Sequence, residues 1–159
     1  RHKKLGGRLI INLEKLNLTL NKLNLETADI KEYYKLSHTI GIPQKNTNKL
    51  KNKIFGIECN FEELNCIDFK KGCYVGQENT SRIKLRNKLS KRLLPVELIK
   101  GELKEGAAIL NNTNEIGKIL IDNEYPFALI KFSSENFDTK IQYKSENAII
   151  KINLPNWIK

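Results

Sequence analysis

Methionine is missing from this 159-residue chain, and its first residue is Arg1. Translation starts on Met, so the chain reads as a fragment or processed piece, with part of any site it carries lying upstream. Long apolar runs are missing too: none approaches the ~18 residues that a membrane span needs. No signal peptide is visible in the opening "RHKKLGGRLIIN", which has charge but no apolar segment behind it. Cysteine is scarce. Cys59, Cys66 and Cys73 are an odd number, which rules out a complete disulfide framework and fits a reducing compartment. Their even spacing is not the C-x₂₋₄-C pattern of a zinc site. It also lacks the tight ligand spacing usual for an iron–sulfur cluster. There is no Arg-rich tract and no aromatic–basic motif of the RNA-binding kind.

The residues present suit one ordinary domain or two small ones, with 40% hydrophobic and 29% charged residues. The formal net charge is +10, from 28 Lys+Arg against 18 Asp+Glu. Such a balance fits a nucleic-acid or anionic-membrane partner. It fits equally the lysine, asparagine and isoleucine usage of an AT-rich genome. The scattering of the lysines favours the second reading.

Local patterns divide the chain near residue 88. In the first part, "RLIIN" (8–12) reads as a short strand. "LEKLNLTLNKLNLE" (13–26) fits a strand by one set of leucines and a helix by another. "ETADIKEYYKLSHTIGIP" reads as a helix capped by Thr27, with Gly41 at its C-terminal end and Pro43 beyond. "QKNTNKLKNK" (44–53) reads as a polar, mobile surface loop, and His38 as a packing or helix-surface histidine. After residue 88 come six short β-type runs: 89–99, 107–110, 115–121, 127–132, 140–144 and 148–152. Turn residues separate them, the spacing of a small antiparallel barrel or sandwich. Trp157 reads as a lid on that barrel.

The segment "KKGCYVGQE" is the least ordinary. Gly72 and Gly76 bracket Cys73, and glycines permit positive φ and close approach. A helix starting near Gly76 would aim its free N–H groups at the turn, and Lys70 and Lys71 stand beside it. Both features favour a thiolate. A buried structural cysteine in a tight turn explains the same residues, and the two readings stand level at this point. By period "SRIKLRNKL" (81–89) suggests a strand, which conflicts with that helix.

These residues also carry a resemblance. "KGCYVGQE" (71–78) resembles the K-G-C-Y-x-G-Q-E signature of the YgfZ-like folate-binding proteins. Those proteins are kin to the glycine-cleavage T-protein (an aminomethyltransferase) and include the CAF17-type iron–sulfur cluster assembly factors. The flanks follow in order. "RHKKLGGR" is similar to the family's D-P-R…L-G-x-R, and "YYKLSHTIGIPQ" to Y-x-x-x-R-x-x-x-G-I-P-E. "FGIECN" is similar to P-x-E-x-N, and "KRLLPV" to the [KR]-R-L strand. "EIGKILI" and "FALIKF" resemble the closing barrel strands. The chain departs from the family pattern at Gln44, Gly56 and Asn87, and has Leu36 or Ser37 where the helix Arg is expected.

The resemblance implies an α+β chain: the second half of a GcvT-like folate-binding domain (1–88), then a C-terminal β-barrel (89–159). It implies tetrahydrofolate, or a one-carbon derivative, as cofactor. Cys73 and Lys71 fall on the motif's working positions, and Glu58 on a pterin-facing carboxylate able to accept two hydrogen bonds. Tyr74, Gln77, Glu78 and Arg82 fall around the ligand, with no metal site. The implied function is assembly or repair of iron–sulfur proteins by a monomer, off the membrane and not a stand-alone enzyme. Its partners would be iron–sulfur client or assembly proteins. The compartment would be bacterial cytoplasm, or the mitochondrial matrix in a eukaryote. An aminomethyltransferase of the glycine-cleavage kind is one alternative. The other is an RNA- or tRNA-binding module using Lys84, Arg86, Lys88, Lys91 and Arg92.

Overall fold

A computed structural model describes residues 2–73, 75–85, 89–132 and 137–158. The first part is helical and irregular. Among the described residues it holds α1 (Leu16–Leu23), α2 (Ile30–Thr39) and α3 (Glu78–Leu85), with single 3₁₀ turns at Lys3–Leu5, Leu13–Lys15 and Thr47–Leu50. The second part is all β: β1 (Lys91–Lys100), β2 (Ala108–Asn111), β3 (Asn114–Ile121), β4 (Phe127–Lys131), β5 (Gln142–Ser145) and β6 (Ala148–Ile152). These close into an antiparallel barrel in the order β1-β4-β3-β2-β5-β6.

The barrel explains the six β-type runs. Inward positions are small-to-medium aliphatics: Leu94 and Val96 on β1, Ile109 on β2, Ile116 and Ile119 on β3, Ala128 and Ile130 on β4, Ile150 and Ile152 on β6. All nine are essentially inaccessible to solvent. Trp157 and Phe137 are partly buried and pack against this core. Closure leaves no free sheet edge to invite pairing with another chain.

β1 reads as an unbroken apolar run, "LLPV", because both of its faces are covered. Leu94 and Val96 fill the barrel. Leu93 turns outward into a second cluster with Leu50, Cys59, Leu120, Ile121 and Phe127. That cluster joins the first part of the chain to the barrel wall. Further ties are Leu93 N–H to Glu58 O (2.8 Å) and Trp157 Nε1–H to Ile40 O (2.7 Å).

Three local expectations are corrected. "RLIIN" is not a strand. Residues 8–12 lie outside any helix or strand, and Ile10 is 91% exposed, because no neighbouring strand among the described residues pairs with them. The cap of α2 is Asp29, not Thr27: its Oδ1 accepts from Lys31 N–H at 2.8 Å, the N-cap bond that satisfies a free helix donor. Residues 78–85 form a helix, so the strand period of 81–89 was misleading; Arg86, Asn87 and Lys88 lie outside the described residues. The ambiguous 13–26 segment resolves as a 3₁₀ turn and α1, whose end is left-handed at Asn24 (φ 50°).

The 44–53 loop is tied down. Leu50 is buried, and Lys49 Nζ donates to Asp122 Oδ1 (2.5 Å) and lies 3.1 Å from Glu105 Oε2. Lys53 pairs with the same Glu105. The two lysines staple the loop to the β3–β4 end of the barrel.

Gly117 sits where β3 passes closest to β4. A Cβ there would lie 2.4 Å from Leu129 O, a backbone atom held by the sheet. Gly117→Ala should therefore cost about 2–3 kcal/mol, read as a lower urea midpoint at unchanged slope. An unshifted midpoint would mean that β3 and β4 are less closely apposed than described.

Candidate functional site

The site rests on a polar joint beneath it. Asn60 is 1% exposed and left-handed (φ 60°), a conformation asparagine tolerates better than most residues. Its Nδ2–H donates to Leu93 O (2.9 Å), and its Oδ1 accepts from Arg92 Nη1 (2.9 Å). Arg92 also ion-pairs with Glu63 and lies 5.7 Å from the Phe132 ring centre. The two charged side chains are only 11% and 19% exposed. Glu63 Oε2 is buried without a hydrogen-bond partner among the described residues, so Arg92 is what makes that carboxylate tolerable there. Next to the joint, Cys59 is buried, and desolvation, with a smaller push from Glu58, raises its thiol to about 11. Cys59 is a packing residue.

From this joint the chain runs out to the motif turn. Cys73 is exposed, as are Lys71 and Gly72. Gly76 takes φ 86°, the left-handed geometry the glycine was expected to supply, and Val75 is fully exposed. α3 begins at Glu78, whose carboxylate stands in the first turn, where the helix dipole favours it. Lys84 ties α3 back to Glu62 and lies 5.3 Å over Phe69. Gln77, Glu78, Ser81, Arg82 and Leu85 line an open groove of about 440 Å³ on this helix. Tyr74 lies outside the described residues.

Glu58 is not in that groove. It is half-buried, and its Oε2 accepts from Phe55 N–H at 2.9 Å, closing the 55–58 turn. The carboxylate expected to face a pterin thus has a structural task of its own. A larger cleft, about 580 Å³, opens elsewhere. Arg8, Tyr33, Gln44 and Cys66 supply its polar side, with His2 at the rim and Ile30, Ile42 and Leu64 among its apolar walls. None of the expected site residues that the structure describes lines it. Its one legible signal was Gln44, directly after Gly-Ile-Pro, where the resembling family carries Glu. Sequence reading also missed Cys66 as an exposed thiol facing a cavity. Among the described residues no three His, Cys, Asp or Glu side chains are grouped to hold a metal ion.

Of the basic run, Arg86 and Lys88 lie outside the described residues and Lys91 is exposed. Arg92 is spent on Asn60 and Glu63, and Lys84 on Glu62. Among the described residues no helix is long and apolar enough to cross a membrane.

Similarity to known proteins points one way. The Dictyostelium discoideum protein named iron-sulfur cluster assembly factor IBA57 homolog, mitochondrial, is 37% identical over 99 residues, 60% of this chain and 24% of that protein. This chain is similar to proteins named IBA57-type iron–sulfur cluster assembly factors. The Yarrowia lipolytica homolog is 28% identical over 173 residues, which take in 100% of this chain and 35% of the relative. The Mus musculus protein is 34% identical over 73 residues, 46% and 20% of the two chains. The chain thus spans between a fifth and about a third of the length of these relatives. No protein-family model matches it.

Two measurements probe how the site is held. Arg92→Met strands a buried carboxylate and should cost about 2–3 kcal/mol, below the ~3–5 of a fully buried pair. The double change Arg92→Met, Glu63→Leu should regain most of that loss in urea melts. Additive losses would show that the two charges do not interact.

The second concerns His38, half-buried under the barrel rim as a packing histidine. Its Nε2 lies 2.9 Å from Pro126 O, and its ring meets Phe127 edge-on at 5.2 Å. Burial lowers its pKa from 6.5, against the smaller raising effects of the Pro126 and Val96 carbonyls and Glu97. The unfolded chain then takes up the proton first. Stability is full above 6.5 and is lost as pH falls through the lower folded value. Between about pH 7.5 and 5.5 the wild-type urea midpoint should fall more steeply than that of His38→Gln. Parallel curves would mean that the ring is solvated.

Proposed function

We propose that this chain works in iron–sulfur cluster assembly, with Cys73 as its working thiol. The observation carrying this reading is the exposure of Cys73 on an open turn, on a chain whose relatives are named assembly factors. The thiol is a soft ligand and nucleophile of the kind such chemistry uses. The joint at Asn60, Arg92 and Glu63 holds the start of the turn's segment against the barrel, so the sulfur stands clear of the surface while its base is anchored. Lys71 supplies positive charge two residues from the sulfur. α3 follows the turn with its N-terminal end. The clients are iron–sulfur or assembly proteins. The compartment is the mitochondrial matrix if the source is eukaryotic and the cytoplasm if it is bacterial.

Tetrahydrofolate belongs to the same proposal, at the larger cleft and not around Glu58. The residues there fit a flat heteroaromatic with an acidic tail. Tyr33 offers a ring face, Gln44 an amide that both donates and accepts, and Arg8 a cation for a carboxylate. The volume, about 580 Å³, lies within the ~300–1,000 Å³ of small-molecule sites. Bound there, folate would supply one-carbon chemistry. This chain's own residues would orient it and limit water on one side.

The test is made in cells that carry Cys73→Ala in the native gene. Activity of [4Fe–4S] dehydratases should drop about tenfold, the scale of losing one functional group, with protein level unchanged. Full activity would remove Cys73 from the mechanism. In parallel, titration of the full-length protein with tetrahydrofolate should show binding weakened about tenfold by Arg8→Ala, one charge-assisted contact, and little changed by Glu58→Gln. The opposite ranking would return the cofactor to Glu58.

A further inference from the structure

Three thiols are present, and the structure separates them sharply. Cys59 is 8% exposed, inside the cluster that joins the two parts of the chain. Cys66 and Cys73 are both exposed, and they bracket one segment. The six residues between them, 67–72, belong to no helix or strand. Five of the six are exposed, Ile67 being half-buried. Asp68 Oδ1 accepts from Lys70 N–H at 2.8 Å, a side-chain-to-backbone turn that bends the segment back on itself. Gly72, next to the second sulfur, has open space around it: an added Cβ would meet nothing within 4 Å.

We propose that Cys66 and Cys73 form a reversible disulfide, which withdraws the motif thiol under peroxide stress and returns it on reduction. A bridge needs Cα atoms about 4.4–6.8 Å apart. An exposed, irregular segment of this length reaches that by rotating its own backbone, leaving α3 and the barrel in place. Closing so short a loop costs little entropy. Cys59, shielded and hard to ionise, takes no part.

The oxidant is a hydroperoxide. One thiolate attacks the peroxide oxygen, the O–O bond breaks, water leaves after proton transfer, and a sulfenic acid forms. The second thiolate attacks that sulfur, the S–O bond breaks, and a second water leaves. Two thiols give up two electrons and two protons, and one H₂O₂ becomes two H₂O. A dithiol reductant reverses the bridge by exchange. Closure also ties the motif turn to Cys66, which lines the larger cleft. Oxidation therefore acts on both parts of the site. That consequence rests on Cys73 being the working thiol; the bridge itself does not.

The chain carries a convenient reporter. Trypsin cleaves after Lys70 and Lys71, so the two cysteines fall on different peptides unless a bridge joins them. Full-length protein at low micromolar concentration is treated with hydrogen peroxide, capped with N-ethylmaleimide and digested without reductant. A linked pair holding Cys66 and Cys73 is expected. It should exceed any intermolecular dimer about tenfold, because the partner thiol is present at high effective concentration. The pair should separate with dithiothreitol and be missing in Cys66→Ser. Capped thiols at both positions, or Cys73 driven to sulfinic acid in the wild type, would overturn the proposal. If the bridge forms while Cys73→Ala leaves [4Fe–4S] activity intact, the switch stands and the proposed function falls. If Cys73→Ala costs activity but no bridge forms, the reverse holds.

Discussion

The amide of Asn60 holds the two parts of this chain in register. It is buried, so both of its ends must find partners. It finds them on one strand: the carbonyl of Leu93 and the guanidinium of Arg92. To do this its backbone takes a left-handed conformation, which places Glu63 three residues on, where it can meet Arg92. The apolar cluster of Leu50, Cys59, Leu93 and Phe127 supplies attraction without direction. The amide and the ion pair supply direction. Were the joint purely apolar, the segment leading to Cys73 could slide along β1.

That division of labour explains what could be read in advance. A closed barrel requires inward positions to be apolar on every strand, and short connections put turn residues between them. Ile109, Ile119, Ile130 and Ile150 therefore announced their strands directly. The first part obeys weaker rules. "RLIIN" has the composition of a strand but no partner, and a strand without a partner leaves its backbone groups unpaired. In 81–89 the alternation of charge and aliphatic suggests a period of two, but residues 78–85 form a helix, with the acidic Glu78 in its first turn where the helix dipole favours it. In 44–53 nothing local marks order, and Lys49 and Lys53 acquire it from Glu105 and Asp122, residues far away along the chain.

The candidate site was legible in the same uneven way. A motif can say that a thiol lies between two glycines, and the structure shows it exposed on a turn with Gly76 left-handed. A motif cannot say what else a carboxylate is doing. Glu58 sits where the resembling family faces a pterin, yet here its oxygen closes the turn that presents Cys59 and Asn60 to the barrel. The wall of Arg8, Tyr33, Gln44 and Cys66 is assembled from four separated stretches. No spacing rule covers such a set, since each member is ordinary in its own neighbourhood.

The arrangement as a whole favours a rigid base with a movable tip. Barrel, cluster and Asn60 joint bury Leu93, Leu94, Val96, Ile109, Ile116, Ile119, Leu120 and Ile121. The described residues from Cys66 to Gly76 are exposed except the half-buried Ile67, so little burial opposes their motion. A thiol that must reach a cluster, a carrier or a neighbouring sulfur gains from that freedom. It also gains from an anchor, because a tip on a floating base would spread over a large volume and meet its target less often. The polar joint stands at the boundary between the two regimes. Its cost, a buried glutamate oxygen without a hydrogen-bond partner among the described residues, is borne three residues from Asn60 and at the edge of the part that moves. A wholly apolar seam would avoid that cost and give up the fixed point from which the sulfur is displayed.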